Sequence, residues 1–355
     1  MKVHVGLCQD YGDSQRTILR ALEELGGADR FFRKGQKVVL KPNLLKGAPP
    51  EKAVTTHPDF IISVVRIVED AGARAVIIDS PGGPGNKRFL QRCYEKSEWT
   101  RIPRETGAEL SYDVSYSQVP LPHGRILKSV PVLKVIQEAD VIINLPKLKT
   151  HGLTVYTGAV KNMYGTVPGM TKPAFHGQYR GMHRFARMLL DVHDASSPDL
   201  SIMDGIVGME GKGPAGGDPI KMNMVLTSQS AQALDMAACR ATGIDISKVP
   251  TIRMGDLDPK DVELIGDTPP KMSIKHPVGG MVPWWVPEFM GGIFANMYMK
   301  RPVLYPDRCI SCGDCERICP EDAITMKKLP RISWSKCIRC YCCAEICPKD
   351  ALEPR

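Results

Sequence analysis

Cysteine is scarce through most of this chain: of twelve cysteines, only Cys8, Cys93 and Cys239 precede residue 308. That distribution excludes the disulfide framework of a small secreted domain and points to thiols gathered for metal in a reducing compartment. No apolar run reaches the roughly 18 residues that a membrane-spanning helix needs. The nearest approach, "VGGMVPWWVPEFMGGIFANMYM" (278–299), is broken by Pro283, Pro287 and four glycines. The opening "MKVHVGLCQD" holds no apolar core long enough for a signal peptide. The expectation is a cytoplasmic protein without a transmembrane segment. Two nucleotide signatures are missing as well. No G-x-G-x-x-G follows the first predicted strand and no G-x-x-x-x-G-K-[ST] occurs, so neither a nicotinamide fingerprint nor a P-loop is supported.

Acidic residues are absent from one long stretch. Between Asp140 and Asp191 there is none, while Lys147, Lys149, Lys161, Lys172, Arg180, Arg184 and Arg187 occur there with His151, His176 and His183. The net charge of +8 is correspondingly uneven: residues 303–355 hold nine Lys/Arg and eight Asp/Glu, so the surplus lies before them. A solvated basic face is the plain reading. A pocket for an anionic small molecule is the sharper one, because positive potential focused in a cleft draws anions. No long basic stripe or binding motif accompanies it, so nucleic acid is not an expected partner.

What is present is an alternation of short apolar runs and amphipathic segments. "MKVHVGLC" reads as an edge strand, "RTILRALEEL" (16–25) as a helix and "KVVLKPN" (37–43) as a buried strand. "HPDFIISVVRIVEDAG" (57–72) is a helix with a proline in its first turn and Gly72 at its end, and "RAVIIDSPGG" (74–83) is a strand. "PVLKVIQEA" (131–139) reads as a helix and "DVIINLPKLK" (140–149) as a strand. "DLSIMDG" (199–205), "IKMNMVLTS" (220–228) and the helix "SAQALDMAACRATG" (230–243) complete the series. This rhythm predicts an α/β body over residues 1–245, a largely parallel sheet with helices on both faces. Residues 246–302, rich in Pro, Gly and Met, form a connector expected to return to that body. Its Trp284, Trp285, Phe289, Phe294 and Tyr298 suit a domain interface, or contact with a membrane surface or a partner. Residues 303–355 form a small third unit.

Open parallel sheets bind ligands beyond the carboxyl ends of their strands. Those ends carry Lys41 and Asn43, then Asp79 and Ser80, then Asn144, Lys147, Lys149, Thr150 and His151, then Asp204 and Glu210. Asp79 or Asp204 alone is an ordinary helix cap or turn former; together the four ends favour one shared site. "GAVKNMYGTVPGMTKPAFHG" (158–177) reads as a Gly-rich loop able to close over a ligand, with Lys161 and Asn162 as its anchors. Surface exposure accounts for Lys172 and the arginines after it. In this reading Lys41, Asn43, Ser80, Lys147, Lys149, Lys161 and Asn162 bind a phosphate or carboxylate. His57 or His151 transfers protons, oriented by Asp79 or Asp204. For His57, in "TTHP", a place beside a helix cap explains the residue equally well.

The strongest signal is an internal duplication. "CISCGDCERICP" (309–320) and "CIRCYCCAEICP" (337–348) share C-x2-C-x2-C-x3-C-P. Zinc patterns usually part their cysteine pairs by a longer loop. Three cysteines at two-residue intervals wrap one face of a cubane, and the fourth ligates the other cluster in two-cluster ferredoxins. That rule assigns Cys309, Cys312, Cys315 and Cys347 to one [4Fe–4S] cluster, and Cys337, Cys340, Cys343 and Cys319 to the second. Cys342 falls opposite Asp314 and is the spare: a packed side chain first, a redox-active thiol or alternate ligand second. The segment resembles bacterial two-cluster ferredoxins over about fifty residues, which implies a small β-hairpin-and-helix domain.

The body also resembles a family. "LKPNLL", "TTHP", "IDSPGG", "INLPKLKTHGLTVYTGAVKNMYGTVPG" and "MDGIVGMEGKGPAGG" are similar to the family DUF362, often fused to a ferredoxin-type cassette. The resemblance implies the architecture and carries no substrate. Three functions follow as expectations. The first is an iron–sulfur oxidoreductase passing electrons from two clusters to an anion in the basic cleft, served by an electron donor or acceptor protein. The second is a non-enzymatic electron carrier or cluster donor. The third is a redox-neutral enzyme with structural clusters.

Overall fold

The computed structural model describes residues 1–276 and 299–355. Strands β1 (Lys2–Leu7), β2 (Lys37–Pro42), β3 (Arg74–Ile77) and β4 (Glu109–Leu110) come first, then a separate ribbon of β5 (Tyr116–Pro120) and β6 (Ser129–Leu133). β7 (Val141–Leu145), β8 (Lys147–His151), β9 (Val155–Thr157), β10 (Leu200–Glu210), β11 (Asp218–Ser228) and β12 (Glu263–Gly266) follow. Among the described residues one ten-stranded sheet runs β12-β1-β11-β10-β7-β2-β3-β4, with β8 beside β10 and β9 beside β8. Most pairings are parallel; the β10–β11 hairpin, β1–β11 and β8–β9 are antiparallel.

Period-two alternation explains why helices cover both faces. In β2, Val38 and Leu40 pack with Ile61 and Val65 of the helix Pro58–Asp70. Val39 points the other way, toward Met188 and Leu189 of the helix Met182–Ser196. A strand buried on both sides reads as a continuous apolar run, and each such side chain contributes roughly 1.5–3 kcal/mol.

Several elements depart from expectation. β1 is not an edge strand, because β12 from the connector pairs with it in parallel, Lys2 to Glu263 through Val5 to Gly266. Residues 131–139 are not one helix. Val130 and Val132 belong to β6, paired with β5, and only Lys134–Gln137 is helical. Pro146, which has no N–H to give to a ladder, divides the expected strand 140–149 into β7, paired with β2, and β8, paired with β10. β10 runs on to Glu210, so Asp204 sits inside a strand rather than at its end. Trp284, Trp285, Phe289, Phe294 and Tyr298 lie outside the described residues.

The C-terminal unit pairs β13 (Pro302–Leu304) with β16 (Leu352–Pro354), and β14 (Ile324–Met326) with β15 (Pro330–Ile332). Helices Asp314–Arg317 and Cys342–Ile346 lie between, over a small core that includes Cys315, Ile318, Ile324, Cys343 and Leu352. This cassette sits directly on the body. Lys46 Nζ reaches Asp350 at 2.6 Å and the Cys347 carbonyl at 2.9 Å; Arg180 meets Glu321 at 2.5 Å and Lys212 meets Glu353 at 3.4 Å.

Candidate functional site

A cavity of about 80 Å³ opens where the carboxyl ends of β2 and β3 meet the cassette. That is room for several waters or a small anion. The body supplies Asn43, Asp79 and Ser80 from the strand ends and Lys161, Asn162, Lys172 and His176 from residues 159–178. The cassette supplies Ile318, Cys342, Glu345 and Ile346 as a roof.

The floor is tied down by hydrogen bonds. Lys149 Nζ donates to Asn43 Oδ1 at 2.7 Å and to the Val54 carbonyl at 2.6 Å. Asn43 Nδ2 donates to Asn162 Oδ1 at 3.0 Å, and Asn162 Nδ2 to Asn144 Oδ1 at 2.8 Å. Asp79 accepts the Leu44 N–H at 2.7 Å through Oδ2, while Oδ1 lies 3.1 Å from Lys41 Nζ without hydrogen-bonding geometry. Burial pushes the Lys41 and Lys149 ammonium groups down, opposed by Asp79 at Lys41 and reinforced by Lys161 at Lys149.

The expected loop over 158–177 is largely helical, with helices Ala159–Asn162 and Thr171–Gln178. Asp235 anchors its start, accepting the Ala159 and Val160 N–H groups at 2.6 and 3.1 Å and the Tyr156 hydroxyl at 3.1 Å. Gly158 has to be glycine here, since a Cβ would lie 2.2 Å from Asp235 Oδ1. Lys172, read from sequence as a surface residue, has a half-exposed stem but an enclosed ammonium that donates to the Ser80 carbonyl. Burial pushes that ammonium down to about 7. His176, one helical turn on, is the other residue the sequence reading passed over. The i, i+4 spacing of Lys172 and His176 within the acid-free stretch was the available signal. Burial pushes the His176 imidazole down to about 4, so it is neutral at neutral pH.

His151 touches the site through the cassette. Its Nδ1 accepts the Leu153 N–H at 3.0 Å, which leaves the proton on Nε2, 3.5 Å from Glu345 Oε1. Burial and the neighbouring Lys161 charge push His151 down to about 4. Burial alone would raise Glu345, but His151 and Lys161 outweigh it and hold the carboxyl at about 2.

The remaining candidates form a second group that does not line the cavity. Lys147 Nζ donates to Asp204 Oδ2 at 2.7 Å and to the Tyr11 hydroxyl at 3.0 Å, and the His57 N–H donates to the same Asp204 oxygen at 3.0 Å. The His57 ring stacks on Tyr11 at 3.7 Å and accepts the Asp59 N–H at 3.2 Å as a helix cap. Lys147 and Asp204 are both buried and neutralise each other.

Inside the cassette are two further cavities, of about 20 Å³ each. Cys309, Cys312, Cys315 and Cys347 wall one; Cys319, Cys337, Cys340 and Cys343 wall the other, joined by Cys342. Among the described residues no three ligating groups converge on a single-ion site. Four soft sulfurs spread around a small, apolar space are instead the donor set an iron–sulfur cluster takes.

Comparison with known proteins agrees with this division. Residues 38–240 match the family described as a domain of unknown function (DUF362), and residues 308–351 match the 4Fe-4S dicluster domain. A relative from Synechocystis sp., called a thylakoid-associated protein, is 33% identical over 289 residues, 78% of this chain and 83% of that protein. Among solved structures, the lactate racemase apoprotein of Thermoanaerobacterium thermosaccharolyticum aligns with a TM-score of 0.43 and 12% identity. That alignment covers 70% of this chain and 57% of the racemase's length. Among the described residues no helix is long and apolar enough to cross a membrane.

Proposed function

This chain belongs to the DUF362 family and carries a 4Fe-4S dicluster domain, and from that premise we propose that it is an iron–sulfur oxidoreductase acting on a small anion held between body and cassette. The observation that carries the proposal is the shared cavity: lysines of the α/β body form its floor and the cassette helix Cys342–Ile346 forms its roof. In this reading Cys309, Cys312, Cys315 and Cys347 hold one [4Fe–4S] cluster and Cys319, Cys337, Cys340 and Cys343 the other. When bound, such clusters supply electrons one at a time.

The chain's own residues do the rest. Lys161 and Lys172 neutralise the anion, and Lys149 holds Asn43 so that its amide and that of Asn162 orient it. His176, neutral and facing the cavity, is better placed to exchange a proton with the ligand than His57. Ile318 and Ile346 keep bulk water out, which strengthens each of these polar contacts. An electron donor or acceptor protein would meet the outer face of the cassette, where Ile310 and Cys312 are exposed. A reducing compartment such as the cytoplasm suits eight ligand thiols.

Calorimetric titration of anaerobically reconstituted protein with inorganic phosphate and with acetate tests the pocket. Lys161→Met should weaken binding by roughly ten- to a hundredfold, the loss of one hydrogen bond to a charged group. Equal affinity in wild type and variant would sink the assignment.

A further inference from the structure

The duplicated cysteine motif gives the cassette two equivalent loops, and they meet different surroundings. In the second loop Arg339 is 4% exposed and donates to the Met299 carbonyl, while the Tyr341 hydroxyl donates to the Lys300 carbonyl at 2.8 Å. Chain entering the cassette therefore packs over that loop. The first loop is open. Ile310, the counterpart of Ile338, is 58% exposed, and Cys312 is the one exposed thiol among the cysteines assigned to the clusters. A single exposed isoleucine is ordinary on a protein surface. One placed beside the most accessible cluster ligand is a more specific arrangement. Lysines surround it. Lys327 and Lys328 lie in the turn between β14 and β15, held against the loop by the Ser311 hydroxyl, which donates to the Lys328 carbonyl at 2.8 Å. Lys349 follows Pro348 and lines the same small cavity as Ile310. All three lysines are exposed, and among the described residues none is held in an ion pair. The carboxylates nearby are committed: Asp314 to Arg317 at 2.5 Å, Glu316 to the Met326 N–H at 2.9 Å and Glu353 to Arg308 at 2.6 Å. Asp307 lies within electrostatic reach of Arg308.

We propose that this rim docks an electron-carrier protein through an acidic surface, with Ile310 as the apolar centre and Lys327, Lys328 and Lys349 as the charged border. The inference rests on the two-cluster part of the reading above and adds the chemistry of the partner. An apolar centre inside a polar border is the layout of protein interfaces, and brief redox encounters use small ones. Opposite charge steers the approach. The second cysteine set borders Cys342, which also lines the anion cavity, so the first set is the outer end of the path. One electron leaves the carrier and is taken up where Cys309, Cys312, Cys315 and Cys347 converge; no bond forms or breaks. Lysines alone would also attract an anionic membrane. The exposed cluster ligand beside them favours a redox protein.

The test uses the full-length, anaerobically reconstituted protein, with oxidised flavodoxin, a small acidic electron carrier, as the probe. Calorimetry should show binding that weakens about tenfold between about 20 and about 300 mM NaCl. Lys327→Glu combined with Lys328→Glu should weaken it by about tenfold at the lower salt and flatten the salt dependence, with iron content unchanged. Ile310→Ala should weaken it by roughly threefold at both salts, through lost apolar area. Carbodiimide, which joins lysine amines to carboxylates as amides, should yield flavodoxin cross-links at Lys327, Lys328 or Lys349. Lysine-rich cytochrome c should not bind. Equal flavodoxin affinity in wild type and the double variant overturns the proposal, and so do cross-links confined to lysines of the body. Binding to phosphatidylglycerol vesicles that the double variant abolishes, with flavodoxin affinity unchanged, assigns the lysines to a lipid surface and overturns it as well. Phosphate binding at the anion cavity is measured separately. If phosphate binds and flavodoxin does not, this inference falls and the pocket reading stands; the reverse result overturns the pocket and supports the docking rim.

Discussion

Asp204 and Lys147 were candidate catalytic and binding residues on sequence grounds, and each is spent on the other. Asp204 accepts from Lys147, Tyr11 and the His57 backbone within a buried group, so Asp204→Ala would leave a buried ammonium without its carboxylate. The expected cost is about 3–5 kcal/mol, read as a lowered urea midpoint, with phosphate affinity unchanged in the folded fraction. Lys172 behaves in the opposite way, as a cation whose charge is available. Its ammonium titrates near about 7, so it is charged below that pH and loses charge above it. Anion affinity should therefore be highest below about pH 7 and fall as pH rises through it, by up to about tenfold per pH unit while one proton is taken up on binding. Acetate, ionised throughout this range, is the suitable calorimetric probe, and Lys172→Met should flatten the profile. Residue identity made all these side chains visible in the sequence. Their partners were not visible, because Lys147 and Asp204 lie 57 positions apart and only folding pairs them.

At the scale of elements, periodicity served well where burial is regular. β2, β3 and the helix Pro58–Asp70 fall where the apolar runs put them. It failed where tertiary contacts override a local pattern. The segment 158–177 contains enough glycine to read as a loop, yet it folds into short helices because Asp235 anchors its first turn and the cassette covers it. Its glycines answer to crowding. A Cβ on Gly165 would lie 2.0 Å from Asp79 Oδ1 and 2.5 Å from Lys41 Nζ, while the Gly165 carbonyl accepts the Ser80 N–H at 2.9 Å. Gly165→Ala should force the segment off the strand ends, costing about 1–3 kcal/mol as overpacking does. Phosphate binding should be lost alongside a lowered melting temperature. A variant that binds phosphate normally would show that the segment does not shape the cavity.

For the whole molecule, the cassette is too small to stand on its own core. Its buried apolar cluster is small and half of it is cysteine, whereas the body holds several large clusters on both faces of its sheet. Folding of such a unit is coupled to its metal. Removing iron with a chelator should therefore unfold the cassette and leave the body intact, seen as one calorimetric transition lost and one retained. Phosphate affinity should fall with it, because the cavity loses the roof made by Cys342, Glu345 and Ile346. The sequence by itself determined the α/β rhythm, the duplicated cysteine frame and the strand ends that carry polar residues. All three are local patterns, written in spacing along the chain. Only the tertiary structure decided which strand-end charges are paired off, that Lys172 and His176 face a cavity, and that the cassette closes it. Those outcomes depend on packing distant segments so that buried charges find partners, and spacing along the chain does not encode which distant side chain will arrive.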